Sequence, residues 1–461
     1  MADTISSKHD FESSGFDKGM KLGRELTGDV ESFPSSPRKI KFRSVLVSFL
    51  IFLFLAISAS IIIYTFVSES LSVTNFSHKL SEHMDKNYPR MGKELKESYR
   101  NELIRLYKNR IITNDYALEC ETLVEFETFM AEFKKKYDHA ERARRHLIFR
   151  QRYFDIKRQK GDKGYRLGIN KFTDLTVEER RSVLSDYPPI KVSMDLNDKT
   201  ERNQFIERHM SDPMYLVKLK KAKNLDNSIY DSSKITSDDL DWRRADVGTR
   251  VKDQGLDCSC CWAFASVAAV ESVYQLLQDD DLDLSEQHLI NCENRCSGCS
   301  GGYVDLALDY VKNKGLPKSS AVPYLSKEEK CVETDRGVYY IDMFLVNKGI
   351  DVFNKSLLWS PTVVNIGVTD SFFDYKSGIY DGECSVNLNH SVLLVGEGYD
   401  PKTKKRYWVI KNSWGRDWGE DGYMRLERTM TENDKCGILT VGLTPLFNHF
   451  LASEYVGHFA I

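Results

Sequence analysis

The chain has 461 residues, ten cysteines and a formal net charge of −3. This length exceeds one small domain and indicates two or three folded units. The near-neutral charge implies neither a nucleic-acid partner nor an acidic ligand. Nine cysteines lie between Cys258 and Cys436, and Cys120 is the only earlier one. We therefore expect a disulfide-containing domain in an oxidising compartment.

The first predicted element is a membrane-spanning helix. Residues 1–44 are polar with mixed charge, which predicts a disordered cytosolic tail. Residues 45–67 are 23 consecutive uncharged residues, long enough to cross a bilayer. Four basic residues precede them: Arg38, Lys39, Lys41 and Arg43. Lys79 is the only basic residue of the comparable stretch that follows, so the positive-inside rule predicts a single-pass type II signal anchor.

This topology places the rest of the chain on the lumenal or extracellular side. A cleaved signal peptide is the alternative, but it requires a shorter apolar region nearer the N-terminus. Glycosylation sequons at Asn75 and Asn354 are usable only on the lumenal side. Such short motifs arise often by chance, so they add little to the topology argument.

Residues 68–235 are predicted to form a helical region followed by a linker. Aromatic residues repeat at helical spacing from Phe126 to Tyr137, and a second helix is predicted from about Glu141 to Lys160. The alternating stretch Gly168–Leu175 indicates a strand and a turn. Residues 185–240 are polar with few apolar clusters, which is typical of a linker.

Residues 236–461 contain more aromatic residues, glycines and cysteines and are predicted to form a separate domain. Helices are predicted after Cys261, at about 285–291 and at about 304–314. Strands are predicted at 362–368, 391–396, 406–411 and 422–427. Helices followed by strands predict an α+β domain in two halves.

Three cysteines, Cys258, Cys260 and Cys261, lie where a loop enters the first of these helices. A thiol at a helix N-terminus faces unpaired N–H groups and the positive end of the helix dipole. That environment lowers the thiol pKa and increases the thiolate fraction. The alternative is that these cysteines only form bridges or pack, and this stretch alone does not decide between the two.

The chain also contains partners that a nucleophilic thiol needs. His390 opens an apolar strand and is a candidate base, and Asn412 follows another apolar strand and is a candidate hydrogen-bond acceptor for that imidazole. Gln254, seven residues before Cys261, is a candidate oxyanion donor. Each residue has an ordinary structural explanation by itself, so the prediction depends on their joint order.

The order and context of these residues closely resemble the papain family of cysteine proteases. The resemblance covers about residues 236–445 and rests on four motifs: Gln254-Gly255…Cys258…Cys261-Trp262-Ala263-Phe264, Asn389-His390-Ser391-Val392, Asn412-Ser413-Trp414-Gly415…Gly422-Tyr423, and Asp241-Trp242-Arg243. It implies a two-lobe fold, with a helical left lobe and a β-barrel-like right lobe. It further implies Cys261 as nucleophile, His390 as its partner, Asn412 as orienting residue and Gln254 in the oxyanion hole, with Trp414 shielding the Asn–His bond.

The region before this domain resembles cathepsin L-like proregions, which occupy the cleft backwards and block it. Four residues match an interrupted helix motif, namely Glu141, Arg145, Phe149 and Ile156, and four match a second motif, namely Gly168, Asn170, Phe172 and Asp174. Arg152 and Lys160 replace residues that are normally Asn. The long anchored proregion is most similar to membrane-anchored apicomplexan proteases of the theilain and falcipain type, in endolysosomal or food-vacuole compartments. The resemblance thus implies a zymogen, 68–235 being its inhibitory propeptide and linker, with processing near 225–240.

The resemblance also implies three disulfides: Cys258–Cys299, Cys292–Cys331 and Cys384–Cys436. Cys120, Cys260 and Cys296 then have no assigned role, and a Cys260–Cys296 bridge is one alternative. Ser259-Cys260 replaces the usual Gly-Ser before the nucleophile. Because Gly adopts conformations that Ser resists, we expect an adjusted loop here.

The substrate is expected to be an extended peptide, bound along a backbone rail at Gly301, Gly302 and Tyr303. By resemblance, the pocket for the second residue before the cut is lined by Tyr303, Val304, Asn365, Asn389 and Val441, with Trp414 also in the substrate cleft. Apolar Val441 predicts a preference for Leu, Val or Phe. No occluding-loop insertion follows Cys299, which favours a thiol endopeptidase.

No cofactor or metal is expected. One alternative is a catalytically inactive papain-like binding protein, supported by Ser259-Cys260 alone. Another is a zinc protein that uses the clustered cysteines, although their spacing resembles no common zinc pattern.

Overall fold

The protein is described by a computed structural model, which covers residues 40–159, 164–185, 206–207, 210–224, 238–332, 337–385 and 387–447. Residues 1–39 of the predicted tail and most of the segment 225–240 lie outside these described residues. The chain divides into two units, Met1–Phe76 and Ser77–Ile461.

The predicted membrane span is part of one long helix, α1 (Ile40–Asn87). Its stretch Phe49–Asn87 contains an 18-residue window of mean hydropathy 2.6. Among the described residues it is the one helix long and apolar enough to cross a membrane. A signal sequence near the N-terminus meets the same criteria of length and hydropathy as a membrane-spanning helix.

Three further helices follow in the second unit: α2 (Lys93–Lys108), α3 (Tyr116–Glu132) and α4 (His139–Arg158). Phe126 and Phe129 of α3 pack on Phe149 of α4, with ring centroids 5.3 and 5.0 Å away. Helix α4 begins two residues before the predicted Glu141, because the Asp138 side chain accepts the Glu141 N–H and caps the helix.

The strand predicted at Gly168–Leu175 is wrong in position. Strand β1 (Tyr165–Leu167) ends before Gly168, and a turn follows it. Asn170 explains the turn, because its Oδ1 accepts the Phe172 N–H at 3.0 Å and its own N–H donates to the Thr173 hydroxyl at 2.9 Å. These local bonds satisfy backbone groups that a strand would pair with a neighbour. A short helix, α5 (Val177–Arg181), comes next.

The interpretation of residues 185–240 as a plain linker is also wrong. This segment contains α6 (Pro213–Ala222), whose Tyr215, Leu219 and Ala222 are buried in the main core. Their spacing by four and three residues is helical, a signal that the polar composition of the segment obscured. The backbone N–H of Asp241 donates to Ala222 O at 3.1 Å, which joins the end of α6 to the domain that follows.

The following domain is helical first and strand-rich later, as predicted. Its helices are α7 (Cys261–Gln278), α8 (Glu286–Cys292), α9 (Val304–Lys314), α10 (Ile350–Trp359) and α11 (Asp370–Phe373). Its strands are β2 (Leu316–Pro317), β3 (Val338–Tyr339), β4 (Met343–Asn347), β5 (Thr362–Ile366), β6 (Tyr375–Tyr380), β7 (His390–Asp400), β8 (Lys405–Lys411), β9 (Tyr423–Glu427) and β10 (Gly442–Leu446).

Eight strands form one sheet in the order β1-β6-β9-β8-β7-β5-β10-β4. All neighbours are antiparallel except β6 and β9. The proregion strand β1 therefore extends the edge of the sheet. Helix α7, which is apolar nearly all round and almost fully buried, packs against β7, α9 and α6. This arrangement confirms the predicted α+β fold and places the N-terminus of α7 beside the start of β7.

Candidate active site

The candidate nucleophile, Cys261, is the first residue of α7. Its side chain is fully buried. Burial raises the pKa of the Cys261 thiol, and hydrogen bonds from Ser391 and from the Trp262 backbone act in the opposite direction. In the closed form of the protein, loss of water therefore opposes the lowering of this pKa that the helix terminus leads us to expect.

His390 and Asn412 form a buried pair beside Cys261. The imidazole Nε2 of His390 lies 2.8 Å from Asn412 Oδ1. The same Oδ1 accepts the Ser413 N–H at 2.8 Å, which indicates that this atom is the acceptor and that Nε2 carries the proton. His390 Nδ1 is buried and has no hydrogen-bond partner among the described residues. Burial lowers the pKa of His390 to about 4, and the Asn412 bond acts against this shift.

Trp414 covers this pair. Its ring stacks on the His390 ring with centroids 4.8 Å apart and an interplanar angle of 27°. Trp414 also stacks on Phe373 and contacts Phe172 of the proregion edge-on, with ring centroids 4.8 and 4.9 Å away. Trp414 is fully buried. Water is therefore kept from the Asn–His bond, as the resemblance implies.

Gln254 contributes an amide group on the other side of the cleft. Its side-chain Nε2 donates to Val183 O at 3.0 Å and to Cys258 O at 3.2 Å. Its Oε1 accepts from the Ser413 hydroxyl at 2.7 Å, which orients the amide. One Gln254 donor therefore already holds a peptide carbonyl within the cleft.

That carbonyl belongs to the proregion, which lies across the candidate site. The Ser259 hydroxyl donates to Ser182 O, and the Ser185 N–H donates to Asn389 O at 2.8 Å. Val183, between these contacts, is completely buried. Residues 182–185 thus contact Ser259 and Gln254 near Cys261 and Asn389 near His390, as expected of an inhibitory propeptide.

A buried ion pair anchors this segment. Arg180 is inaccessible to solvent and donates to both carboxylate oxygens of Asp374, at 3.0 and 2.7 Å. Burial raises the pKa of Asp374, and Arg180 acts in the opposite direction. Arg152, which departs from the proregion motif, forms an ion pair with Asp370 of α11. No sequence pattern indicates Arg180 or Asp374, because their pairing joins distant segments.

The expected substrate-binding residues lie around the cleft. Gly302 passes directly over Trp262, since a Cβ there would lie 2.6 Å from the indole ring. Tyr303 precedes α9 and donates its N–H to Cys296 Sγ at 3.3 Å. Val304 is the first residue of α9 and is buried. Gly301, the other rail residue, has φ +121°, in the region that favours glycine.

The remaining expected pocket residues lie on the strand-rich side. The Asn389 amide is held by Val368, whose N–H donates to Asn389 Oδ1 at 2.8 Å. Asn365 Oδ1 accepts from the Ser391 hydroxyl at 2.7 Å. Val441 is buried and lies one residue before Gly442, which pairs with Val364. If the same antiparallel register is continued by one residue, Val441 lies opposite Asn365.

The structure contains the three expected disulfides: Cys258–Cys299, Cys292–Cys331 and Cys384–Cys436. Cys260 and Cys296 are free thiols, so the alternative bridge between them is wrong. Cys260 is buried with its Sγ 3.2 Å from the Tyr324 hydroxyl, which itself donates to Gln254 O at 2.6 Å. The pairing also removes three cysteines from the zinc alternative, and the described residues contain no cluster able to hold a metal.

The two sequon residues are accessible to different degrees. Asn75 is exposed. Asn354 lies on α10, is partly buried, and its Oδ1 accepts from Arg428 at 2.9 Å. Cys120, the remaining free cysteine, is buried in α3, far along the chain from the other thiols.

The buried thiol, the imidazole–amide pair and the covering segment define a class, the thiol protease zymogens. Residues 236–446 match the papain family cysteine protease model, and residues 126–179 match the cathepsin propeptide inhibitor domain. A cysteine proteinase of Theileria annulata is 42% identical over 88% of this chain and 91% of its own. Falcipain-3 of Plasmodium falciparum is 35% identical over 74% of this chain and 69% of its own.

Solved proenzymes have the same fold. Recombinant stem bromelain precursor superposes with TM-score 0.56 at 29% identity over 71% of this chain and 99% of its own. Digestive procathepsin L2 of Tenebrio molitor superposes with TM-score 0.57 at 28% identity over 71% of this chain and all of its own. The chain belongs to the papain family of cysteine proteases and carries its own inhibitory propeptide, which confirms the predicted class.

Proposed function

We propose that Cys261, His390, Asn412 and Gln254 perform peptide-bond hydrolysis in this protease. The observation that carries the proposal is the His390 Nε2–Asn412 Oδ1 bond of 2.8 Å. Because it uses Nε2, it leaves the buried Nδ1 of the imidazole free to take a proton. Nδ1 belongs to the first residue of β7, which packs on α7 where Cys261 begins the helix.

The reaction then follows from these groups. His390 Nδ1 accepts the Cys261 thiol proton, and the thiolate attacks the carbonyl carbon of the substrate. Gln254 Nε2 and the backbone N–H of Cys261 stabilise the oxyanion. The C–N bond breaks as His390 returns the proton to the leaving amine. Water then hydrolyses the thioester, which releases the acid and restores the thiol.

The proregion keeps this site inactive by two physical effects. Val183 O accepts the hydrogen bond from Gln254 Nε2 that a substrate carbonyl would otherwise accept. Residues 182–185 also exclude water from Cys261 and His390, and burial favours the neutral forms of both side chains. Removal of the proregion restores water and frees the cleft.

Labelling with an epoxysuccinyl thiol-protease inhibitor tests the proposal. We expect label on Cys261 after processing and much slower labelling of the intact zymogen. The Cys261→Ala variant should take no label, whereas Cys296→Ala should label like wild type. Absence of label on the processed wild-type protein would contradict the assignment of the nucleophile and would favour an inactive papain-like binding protein.

The proposed substrate preference rests on Val441. An apolar side chain at the pocket floor favours Leu, Val or Phe at the second position before the cut. An acidic residue at this place would instead favour Arg. A panel of fluorogenic peptides measures this preference, and faster cleavage of the Arg peptide than of the Leu peptide would overturn it.

We also propose that residues 45–67 anchor the zymogen as a single-pass type II protein, with the protease lumenal or extracellular. The basic residues ahead of the span and the charge-free stretch support this orientation. An acidic endolysosomal or food-vacuole compartment suits activation by acid, because burial lowers the pKa of His146 in the proregion. Protease protection of intact microsomes tests the topology, and digestion of the papain-family domain without detergent would contradict it.

A further inference from the structure

Ser259 differs from the glycine that the family resemblance leads us to expect two residues before Cys261. The backbone of Ser259 is not among the described residues with positive φ. A side chain is therefore accommodated here without backbone strain. Two contacts hold this loop in position: the Ser259 N–H donates to Cys299 O at 2.9 Å, and Cys258 is disulfide-bonded to Cys299.

The Ser259 hydroxyl points into the cleft. It donates to Ser182 O of the proregion, while Gln254 Nε2 donates to Val183 O at 3.0 Å. Two adjacent carbonyls of a cleft-bound chain are thus held by two separate side-chain donors. A glycine at position 259 has no hydroxyl, so the contact with Ser182 O is lost and only the Gln254 contact remains.

The neighbouring contacts indicate on which side of the scissile bond Ser259 lies. Ser185 donates to Asn389 O at 2.8 Å, and Asn389 is a predicted residue of the pocket for the acyl side. Residues after Val183 therefore extend towards the acyl side. Ser182 precedes Val183 and lies on the opposite side, where the leaving group of a substrate is bound.

We propose that Ser259 is a substrate-binding residue whose hydroxyl donates to the substrate on the leaving-group side of the scissile bond. This inference rests on the proposed function, since Val183 O marks the oxyanion position only if Gln254 is the oxyanion donor. The contact gives the enzyme a preference for substrates that continue beyond the cut. Short substrates that end in a leaving dye have no peptide carbonyl there.

The test compares two substrates that have the same sequence on the acyl side. The short substrate ends in aminomethylcoumarin, and the extended substrate is an internally quenched peptide that continues past the cut. The full-length chain is expressed and processed, and the ratio of kcat/KM for the extended to the short substrate is measured. We expect Ser259→Ala to lower this ratio by about 3–10-fold, the effect of one neutral hydrogen bond. Ser259→Thr, which keeps a hydroxyl, should restore most of it.

Ser300→Ala is the matched control, since Ser300 is an exposed serine of the neighbouring loop. It should leave the ratio unchanged. An unchanged ratio in Ser259→Ala, or an equal loss with both substrates, would overturn the inference. Active-site labelling of the same samples separates the two hypotheses: labelled Cys261 with an unchanged ratio contradicts the role of Ser259 alone, whereas absent label contradicts the proposed function.

Discussion

His390 Nε2 and Asn412 Oδ1 are 2.8 Å apart in a site that Trp414 closes to solvent. This bond selects the tautomer of a neutral imidazole, because a ring that donates through Nε2 holds its lone pair on Nδ1. The two residues are separated by 22 positions in the chain. They meet because β7 begins at His390 and its neighbour β8 ends at Lys411, immediately before Asn412.

We predict that Asn412→Ala lowers kcat by about 10–100-fold. This loss is smaller than the loss caused by removing acid–base catalysis altogether, which reaches ~10⁴-fold. Without the amide acceptor, the imidazole loses its orientation and its tautomer preference. The pH–rate profile should also change, because Asn412 favours the charged imidazole. Steady-state kinetics of the processed enzyme measure both effects. Activity within twofold of wild type would contradict the orienting role.

Arg180 and Asp374 form the basis of a second prediction. Removing one partner of a buried ion pair leaves an uncompensated charge and costs about 3–5 kcal/mol. Arg180→Ala should therefore weaken proregion docking and speed both processing and inhibitor labelling of the zymogen at neutral pH. Arg181→Ala, at the adjacent exposed position, is the control and should behave as wild type. A resistant Arg180→Ala zymogen would refute the anchoring role.

His146 gives the proregion a sensitivity to acid. It is buried on α4, its ring lies 5.4 Å from that of Phe126, and its Nε2 has no partner among the described residues. Burial lowers the pKa of His146 to about 4; Glu102 acts against this shift, and Arg142 and Arg150 reinforce it. The folded pKa lies below the unfolded value of about 6.5, so stability falls as pH decreases from 6.5 towards 4.

At pH 5 this difference corresponds to about 2 kcal/mol of lost stability. We expect His146→Phe, which keeps the ring volume, to retain the proregion fold at pH 5 and to slow acid processing. His139→Gln, at an exposed position of the same helix, is the control. Time courses of processing between pH 4.5 and 7 provide the measurement. The same acid response in His146→Phe and wild type would show that other groups trigger release.

Helix α6 leads to a prediction about the processed enzyme. Tyr215 is fully buried, and its hydroxyl donates to Leu358 O at 2.9 Å. Lys218 of the same helix donates to Ala245 O at 3.2 Å. We therefore expect activation to cut before Asp212, which keeps α6 attached, instead of within 225–240. N-terminal sequencing of the processed enzyme identifies the cut.

The stability of the processed enzyme tests the same point. Tyr215→Ala should lower its free energy of unfolding by about 3–5 kcal/mol, as for other large buried aromatics. Tyr215→Phe should cost about 1 kcal/mol for the lost hydrogen bond. Val217→Ala is the control, because Val217 is 51% exposed. If Tyr215→Ala left the processed enzyme as stable as wild type, α6 would not belong to it.

Local patterns were sufficient for much of the fold. Apolar residues at helical spacing predicted α7 and α9, and continuous apolar runs predicted β5, β7 and β8, since burial of such faces dominates the free energy of folding. Strand β1 was misplaced because the side-chain bonds of Asn170 override alternation. Helix α6 was missed because its buried Tyr215 and Leu219 stand among lysines in a polar segment.

The sequence by itself determined the family, the order of the helical and strand-rich halves, and the candidates Cys261, His390 and Asn412, because their types and contexts are local properties of the chain. Tertiary structure alone decided that Val183 lies on Gln254, that Arg180 pairs with Asp374, and that the Cys261 thiol is closed to water. These contacts join distant segments, so no periodicity records them. Burial sets the direction of the Cys261 and His390 pKa shifts, and it depends on packing between distant segments, such as Trp414 on His390 and Phe172 of the proregion on Trp414.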